Sequence, residues 1–256
     1  MSPREAISRA LRVAAKDGQP KLVAGLTAGY PSRERFREDV RAVASACDVV
    51  EICVPFTDPM ADGVTIQRSS QAALAQGVTL PWILEELERG VQVEPPLLLM
   101  SYLNPLLALG FETLAERAAR ARVAGFIVPD LPLDESAELR HAFEGRGLAL
   151  IQMVTPVTRP ERLREVCAAS EGFVYAVTMT GTTGKAAGIP PATLEYLDAV
   201  RRLSAVPVCA GFGIRSANQV ELLRGHVDGV IVASALVEVL EQGGDPAAWL
   251  RALRGR

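Results

Sequence analysis

Eight short apolar runs recur along the chain, and they constrain its fold more than any other feature. They are KLVAGLT (21–27), VVEICV (49–54), PLLLMSY (96–102), GFIVPD (125–130), LALIQMV (148–154), GFVYAVT (172–178), VPVCAGF (206–212) and GVIVASA (229–235). Successive residues in each run are apolar, so both faces are buried, as in parallel strands covered by helices. The segments between them are amphipathic at helical spacing. Eight alternating β and α units behind an amphipathic N-terminal segment, MSPREAISRALRVAAKDG, predict a (β/α)8 barrel with an extra N-terminal helix. An open doubly wound sheet is the alternative. No low-complexity tract or linker divides the 256 residues, 49% of them apolar, so 1–256 read as a single barrel domain with one large core. Thr158 with Glu161 and Ser216 with Gln219 have capping-box spacing, and Pro160 stands where a first helical turn tolerates it.

Several partners are argued against by what the sequence lacks. A net charge of −3 and a pI near 5.6, with no Lys/Arg-rich run, give no electrostatic footprint for nucleic acid. No apolar run approaches the length of a membrane span, and the N-terminal segment lacks the apolar centre of a signal peptide. Cys47, Cys53, Cys167 and Cys209 are scattered through predicted helices and strands without a CxxC pair, and read as buried free thiols of a cytoplasmic protein.

Two predicted connections are longer than the rest, from Pro55 to about Ile66 and from Thr178 to about Pro190. In a barrel both follow strand C-termini, the face on which this fold builds its active sites. The ends of strands 6, 7 and 8 carry TGTTGKAAG (180–188), AGFGIRS (210–216) and VASAL (232–236). Any one of Gly181, Gly211 and Gly213 could merely serve a tight turn. At three adjacent strand ends, followed by a helix start, glycine and serine suit a phosphate.

The catalytic inventory is narrowed by absences. Of the three lysines, Lys16 lies in the leading helical region, Lys21 at the bottom of strand 1 and Lys185 in a glycine-rich loop, so none is placed for Schiff-base chemistry. His141 and His226, the two histidines, fall in or just after helices, away from the catalytic face, which argues against a metal aldolase. GxSxG and GxxxxGK[ST] motifs are missing. Carboxylates remain. Glu51 shares its strand parity with Val49 and Cys53 and so lies in an apolar setting, where it is either a structural glutamate paired with an arginine or an acid of raised pKa. Asp58, Asp62 and Asp130 each stand at turn signals that explain them locally.

The stretch EICVPFTDPMADGVTIQ (51–67), with LTAGYP, SYLNPL, PDLP, GFVYAVTMTGTTG, GFGI and SALV following in order, resembles the tryptophan synthase α-subunit family along nearly the whole chain. The resemblance implies a (β/α)8 barrel that cleaves indole-3-glycerol phosphate to indole and glyceraldehyde 3-phosphate. It implies no cofactor in this chain, and a pyridoxal-phosphate-containing β subunit as partner in an αββα heterotetramer. By similarity Glu51 is the catalytic acid and Asp62 the carboxylate facing the indole N–H. Met100, Tyr102, Tyr175 and Thr183 match substrate positions, and Gly184, Gly213 and Ser234 match phosphate positions. The reaction then needs one carboxyl protonated and one ionised, with Glu51 at a strand end and Asp62 in a solvated loop supplying the difference.

Five features depart from the family pattern: Cys53 stands for glycine, Thr57 for serine, Gly25 for a bulky apolar residue and Ala233 for glycine, and GKAAGIPP (184–191) lacks an expected arginine. A stand-alone lyase and a non-catalytic barrel that binds and activates a β subunit are the alternatives.

Overall fold

The computed structural model describes residues 1–12, 18–178, 189–211 and 213–255. Eight parallel strands, β1 (Lys21–Thr27), β2 (Val49–Cys53), β3 (Leu97–Met100), β4 (Val123–Ile127), β5 (Ala149–Val154), β6 (Val174–Val177), β7 (Val208–Gly211) and β8 (Gly229–Val232), pair in sequence order. β8 pairs back onto β1, from Lys21 opposite Gly229 to Ala24 opposite Val232, which closes the barrel and excludes the open sheet.

Strand alternation sorts the apolar residues into two cores. Val23, Val49, Leu98, Ile151, Phe173, Cys209 and Ile231 fill the barrel interior. Leu22, Ala24, Val50, Ile52, Leu99, Phe126 and Leu150 point outward against the helices. The N-terminal helix, Pro3–Arg12, contributes Ile7 and Leu11 to the interior cluster and so plugs the barrel at the end opposite the strand C-termini. A side chain at Gly172 would meet Ile7 at 3.2 Å, and one at Gly229 would meet Leu11 at 3.4 Å, so these glycines admit the plug.

Several boundaries differ from the sequence reading. β4 lies two residues earlier than GFIVPD, because 128–131 form a turn in which Leu131 N–H donates to the Val128 carbonyl at 3.2 Å. The helix after β2 begins at Val64, so Ile66 is inside it. No capping box forms at Thr158: Pro160 fixes the first helical position, Arg159 becomes the cap residue, and the Thr158 hydroxyl instead accepts from Thr155 N–H at 3.0 Å. Ser216 is the cap residue of Ala217–Leu222 but makes no side-chain cap bond, and Gln219 accepts from Arg215 N–H at 2.8 Å. Cys47 lies in the turn before β2 rather than in an element; all four cysteines are buried and free.

Candidate active site

Glu51 occupies the centre of β2, between Gly25 of β1 and Leu98 of β3, and only 1% of its surface is exposed. It points into the barrel: a side chain at Gly25 would lie 3.4 Å from its Oε1. Burial, and secondarily the charge of Asp62, push its pKa up to about 7, against a smaller lowering by a hydrogen bond from Cys53. Its Oε2 is buried without a hydrogen-bond partner among the described residues. Among the described residues no arginine pairs with it, which argues against the structural reading of Glu51.

Asp62 sits at the end of the turn Pro59–Asp62, where its N–H donates to the Pro59 carbonyl at 3.1 Å. Gln67 Nε2 donates to its carbonyl at 2.8 Å, and Tyr102 Oη donates to its Oδ2 at 3.2 Å while accepting from Ala61 N–H at 2.9 Å. Phe56 stacks on Tyr102 at 5.1 Å between ring centroids. The loop is exposed at Thr57, Asp58, Met60 and Ala61, as expected, but Asp62 itself is half-buried and braced by Tyr102 and Gln67. Burial raises Asp62 to about 6, opposed by the Tyr102 hydrogen bond. Both carboxyls are raised chiefly by burial, and Glu51 is raised further by the charge of Asp62.

Met100 ends β3 opposite Cys53 and joins the edge of the interior cluster. Tyr175 of β6 also projects inward, where burial and then the charges of Glu51, Cys53 and Asp62 hold its phenol protonated. Its ring explains Gly211, since a Cβ there would fall 2.2 Å from Tyr175 Cε1. Glu51, Asp62, Met100, Tyr102 and Tyr175 thus line one region at the C-terminal end of the barrel.

Gly213 lies exposed just beyond β7, and Ser234 opens the helix Ser234–Glu241 beyond β8, whose first turn no side chain caps. An uncapped helix start at that strand end suits an anion. Thr183, Gly184 and Gly181 lie outside the described residues. Asp58 is exposed and takes a local hydrogen bond from Thr57, whereas Asp130 accepts from Leu103 N–H at 2.9 Å and so braces a helix start 27 residues away. His141 is exposed, and His226 pairs with Asp198 at 2.9 Å. Phe56 and the space that Gly211 leaves for Tyr175 escaped the sequence reading; the motif PFTDP put an aromatic beside the aspartates, but nothing in it pointed to Tyr102.

The family model described as tryptophan synthase alpha chain matches residues 11–252. The chain belongs to the tryptophan synthase alpha chain family. A curated alpha chain from Nitratidesulfovibrio vulgaris (strain DP4) is 44% identical over 248 residues, 96% of each chain. One from Carboxydothermus hydrogenoformans is 40% identical over 226 residues, 88% of this chain and 85% of that one. Among solved structures, Mycobacterium tuberculosis tryptophan synthase in space group F222 superposes with a TM-score of 0.87 at 33% identity, covering 97% of this chain and 98% of that one. A mutant tryptophan synthase alpha-subunit from Pyrococcus furiosus superposes with a TM-score of 0.82 at 31% identity, covering 93% and 99%.

Within this alpha-chain barrel, Gly25 and Ala233 share one space. A Cβ at Gly25 would fall 2.8 Å from the Ala233 methyl, so the missing side chain on β1 makes room for the extra one after β8.

Proposed function

We propose that this chain is the lyase of the tryptophan synthase α reaction, cleaving indole-3-glycerol phosphate to indole and glyceraldehyde 3-phosphate, with Glu51 as the acid. The observation that carries the assignment is Glu51 itself, buried, raised to about 7 and left with one unpartnered oxygen beside Asp62. A group with that pKa is protonated in part at neutral pH and can both give and retake a proton.

In this reading Glu51 gives its proton to indole C3, which becomes tetrahedral and leaves positive charge shared between C2 and N1. The bond from C3 to the hydroxyl-bearing side-chain carbon then breaks, and its electron pair returns to the ring. The hydroxyl oxygen becomes the aldehyde carbonyl as its proton leaves, and Glu51, now a carboxylate, is the acceptor that restores the starting acid. Asp62 faces the N–H and stabilises the cation in a site screened from water. Met100, Tyr102 and Tyr175 border the indole, with Thr183 proposed to join them. Gly213 and Ser234, with Gly184, hold the phosphate.

We further propose that the chain acts as one barrel domain in the cytoplasm and that its C-terminal face docks a tryptophan synthase β subunit in an αββα assembly. Family membership supports the partner. So do large apolar side chains left exposed after β2, β3 and β5: Met60 (86%), Val64 (76%), Leu107 (51%) and Val157 (76%). Among the described residues no helix is long and apolar enough to cross a membrane. The test is indole release from indole-3-glycerol phosphate with and without added β subunit. Release that the β subunit accelerates is expected; no release in either case overturns the lyase assignment.

A further inference from the structure

Glu51 shares the inward face of β2 with one other polar side chain near the catalytic end, Cys53, and the two touch. The Cys53 thiol lies 3.8 Å from Glu51 Oε1, within reach of a weak sulfur donor. Burial, then the charges of Glu51 and Asp62, hold Cys53 as a thiol well beyond its ordinary range, so it remains a donor throughout the working pH. The two oxygens of Glu51 are therefore unlike: Oε1 accepts from sulfur, while Oε2 is buried and unpartnered.

We propose that Cys53 is a positioning residue for the proton transfer, its thiol engaging Oε1 so that the acid carries its proton on Oε2. This rests on the lyase reading above. A carboxylic acid has one carbonyl-type oxygen and one hydroxyl, and the oxygen already accepting a hydrogen bond is the carbonyl one. After transfer the same thiol donates to a carboxylate, where hydrogen bonds are stronger. The bond thus favours the ionised product state and makes Glu51 the stronger acid. Among the described residues, the other groups around Glu51 do not duplicate this. Gly25 of β1, Leu98 and Met100 of β3 and Ala233 beyond β8 are uncharged and without a donor hydrogen in their side chains. Asp62 opposes ionisation, Tyr175 of β6 and Cys209 of β7 keep their donor hydrogens but make no hydrogen bond to Glu51, whose Oε2 has no partner among the described residues, and Tyr102 acts through Asp62.

The test is the pH profile of kcat for indole release by wild type, Cys53→Ala, Cys53→Val and Cys53→Ser, each at saturating substrate. Activity needs protonated Glu51, so kcat falls as pH rises through its pKa. Loss of the donor raises that pKa, and the basic limb moves to higher pH by about 0.4 unit in both Ala and Val variants, the low end for a neutral hydrogen bond. Cys53→Ser keeps a donor and stays nearer wild type. A packing role alone would scale kcat or KM and leave the limb in place; superposed limbs in the Ala and Val variants, with wild type active, overturn the proposal. An infrared titration of the free protein gives a second readout. The acid carbonyl band that disappears in Glu51→Gln should move to higher frequency, with a higher midpoint, in whichever donor-less variant folds. An unmoved band overturns the proposal. If wild type releases no indole, it is the lyase reading that fails, and the infrared arm alone decides the role of Cys53.

Discussion

Ionising Glu51 costs the folded state free energy, because the charge is then held away from water with one oxygen unpartnered. Its folded pKa of about 7 stands above the ordinary 4.5. The folded state therefore binds more protons between those values, and the stability present below about 4.5 is lost as pH rises through 7. Glu51→Gln removes the penalty. Relative to wild type it should gain about 3 kcal/mol at pH 8 and almost nothing near pH 4, at 1.36 kcal/mol per pH unit. It should also lose roughly 10²–10⁴-fold in indole release, the range for a general acid. Urea unfolding at the two pH values checks the first; a stability gap that does not widen with pH counts against burial as the cause. Asp62→Asn keeps a partner for Tyr102 but loses the charge, and should impair cleavage. Asp58→Asn, at an exposed position, should remain within about twofold of wild type, as surface substitutions generally do. Comparable losses at both aspartates would show that the assignment to Asp62 is wrong. The apolar setting of Glu51 was legible because strand parity is a local property, but parity alone left open whether it faced the barrel or a helix. The burial of Asp62 was not legible, because its bracing partner Tyr102 comes from another strand end, 40 residues away.

At the scale of elements, the strands were readable because both faces of each are buried, which writes an uninterrupted apolar run into the sequence. The helices were less so. After β2, β3 and β8 the chain forms two helices where one was expected. Gly77, with φ of 76°, follows the first of one pair, and Gly110, with φ of 82°, separates Leu103–Leu109 from Phe111–Arg120. Amphipathic spacing continues across such glycines although the backbone does not. Contacts between elements were equally hidden, and the β1–β8 seam offers a test. Gly25→Ala forces a Cβ to 2.8 Å from the Ala233 methyl and should destabilise the barrel by about 1–3 kcal/mol, as overpacking does. Ala233→Gly should be far milder alone. In the double variant most of the damage should disappear, giving a coupling of about 1 kcal/mol or more in a thermodynamic cycle. Additive effects would mean that the two positions do not share the space.

For the whole molecule the question is how a partner on the C-terminal face changes chemistry inside the barrel. The exposed apolar residues stand at the rim that also carries the aspartate loop, with Glu51 buried in the barrel beneath it. A β subunit seated there can favour the reactive arrangement only by its differential affinity for that arrangement, so hundredfold activation needs roughly 2.7 kcal/mol of coupling. Leu107 and Val157 belong to the rim but not to the proposed catalytic or substrate set, and they separate docking from chemistry. Leu107→Lys with Val157→Lys should weaken β-subunit binding by about tenfold or more, the effect expected when a charge replaces apolar contact at an interface core. The free chain's own cleavage should stay within about twofold of wild type, because these surface changes leave Glu51 and Asp62 untouched. Titration of the cognate β subunit, followed both by comigration in size-exclusion chromatography and by indole release, reads the two effects separately. At saturating β subunit the double variant should regain the activated rate. If activation stays lost although the complex forms, the rim residues transmit the coupling; if binding is unchanged, the partner docks elsewhere.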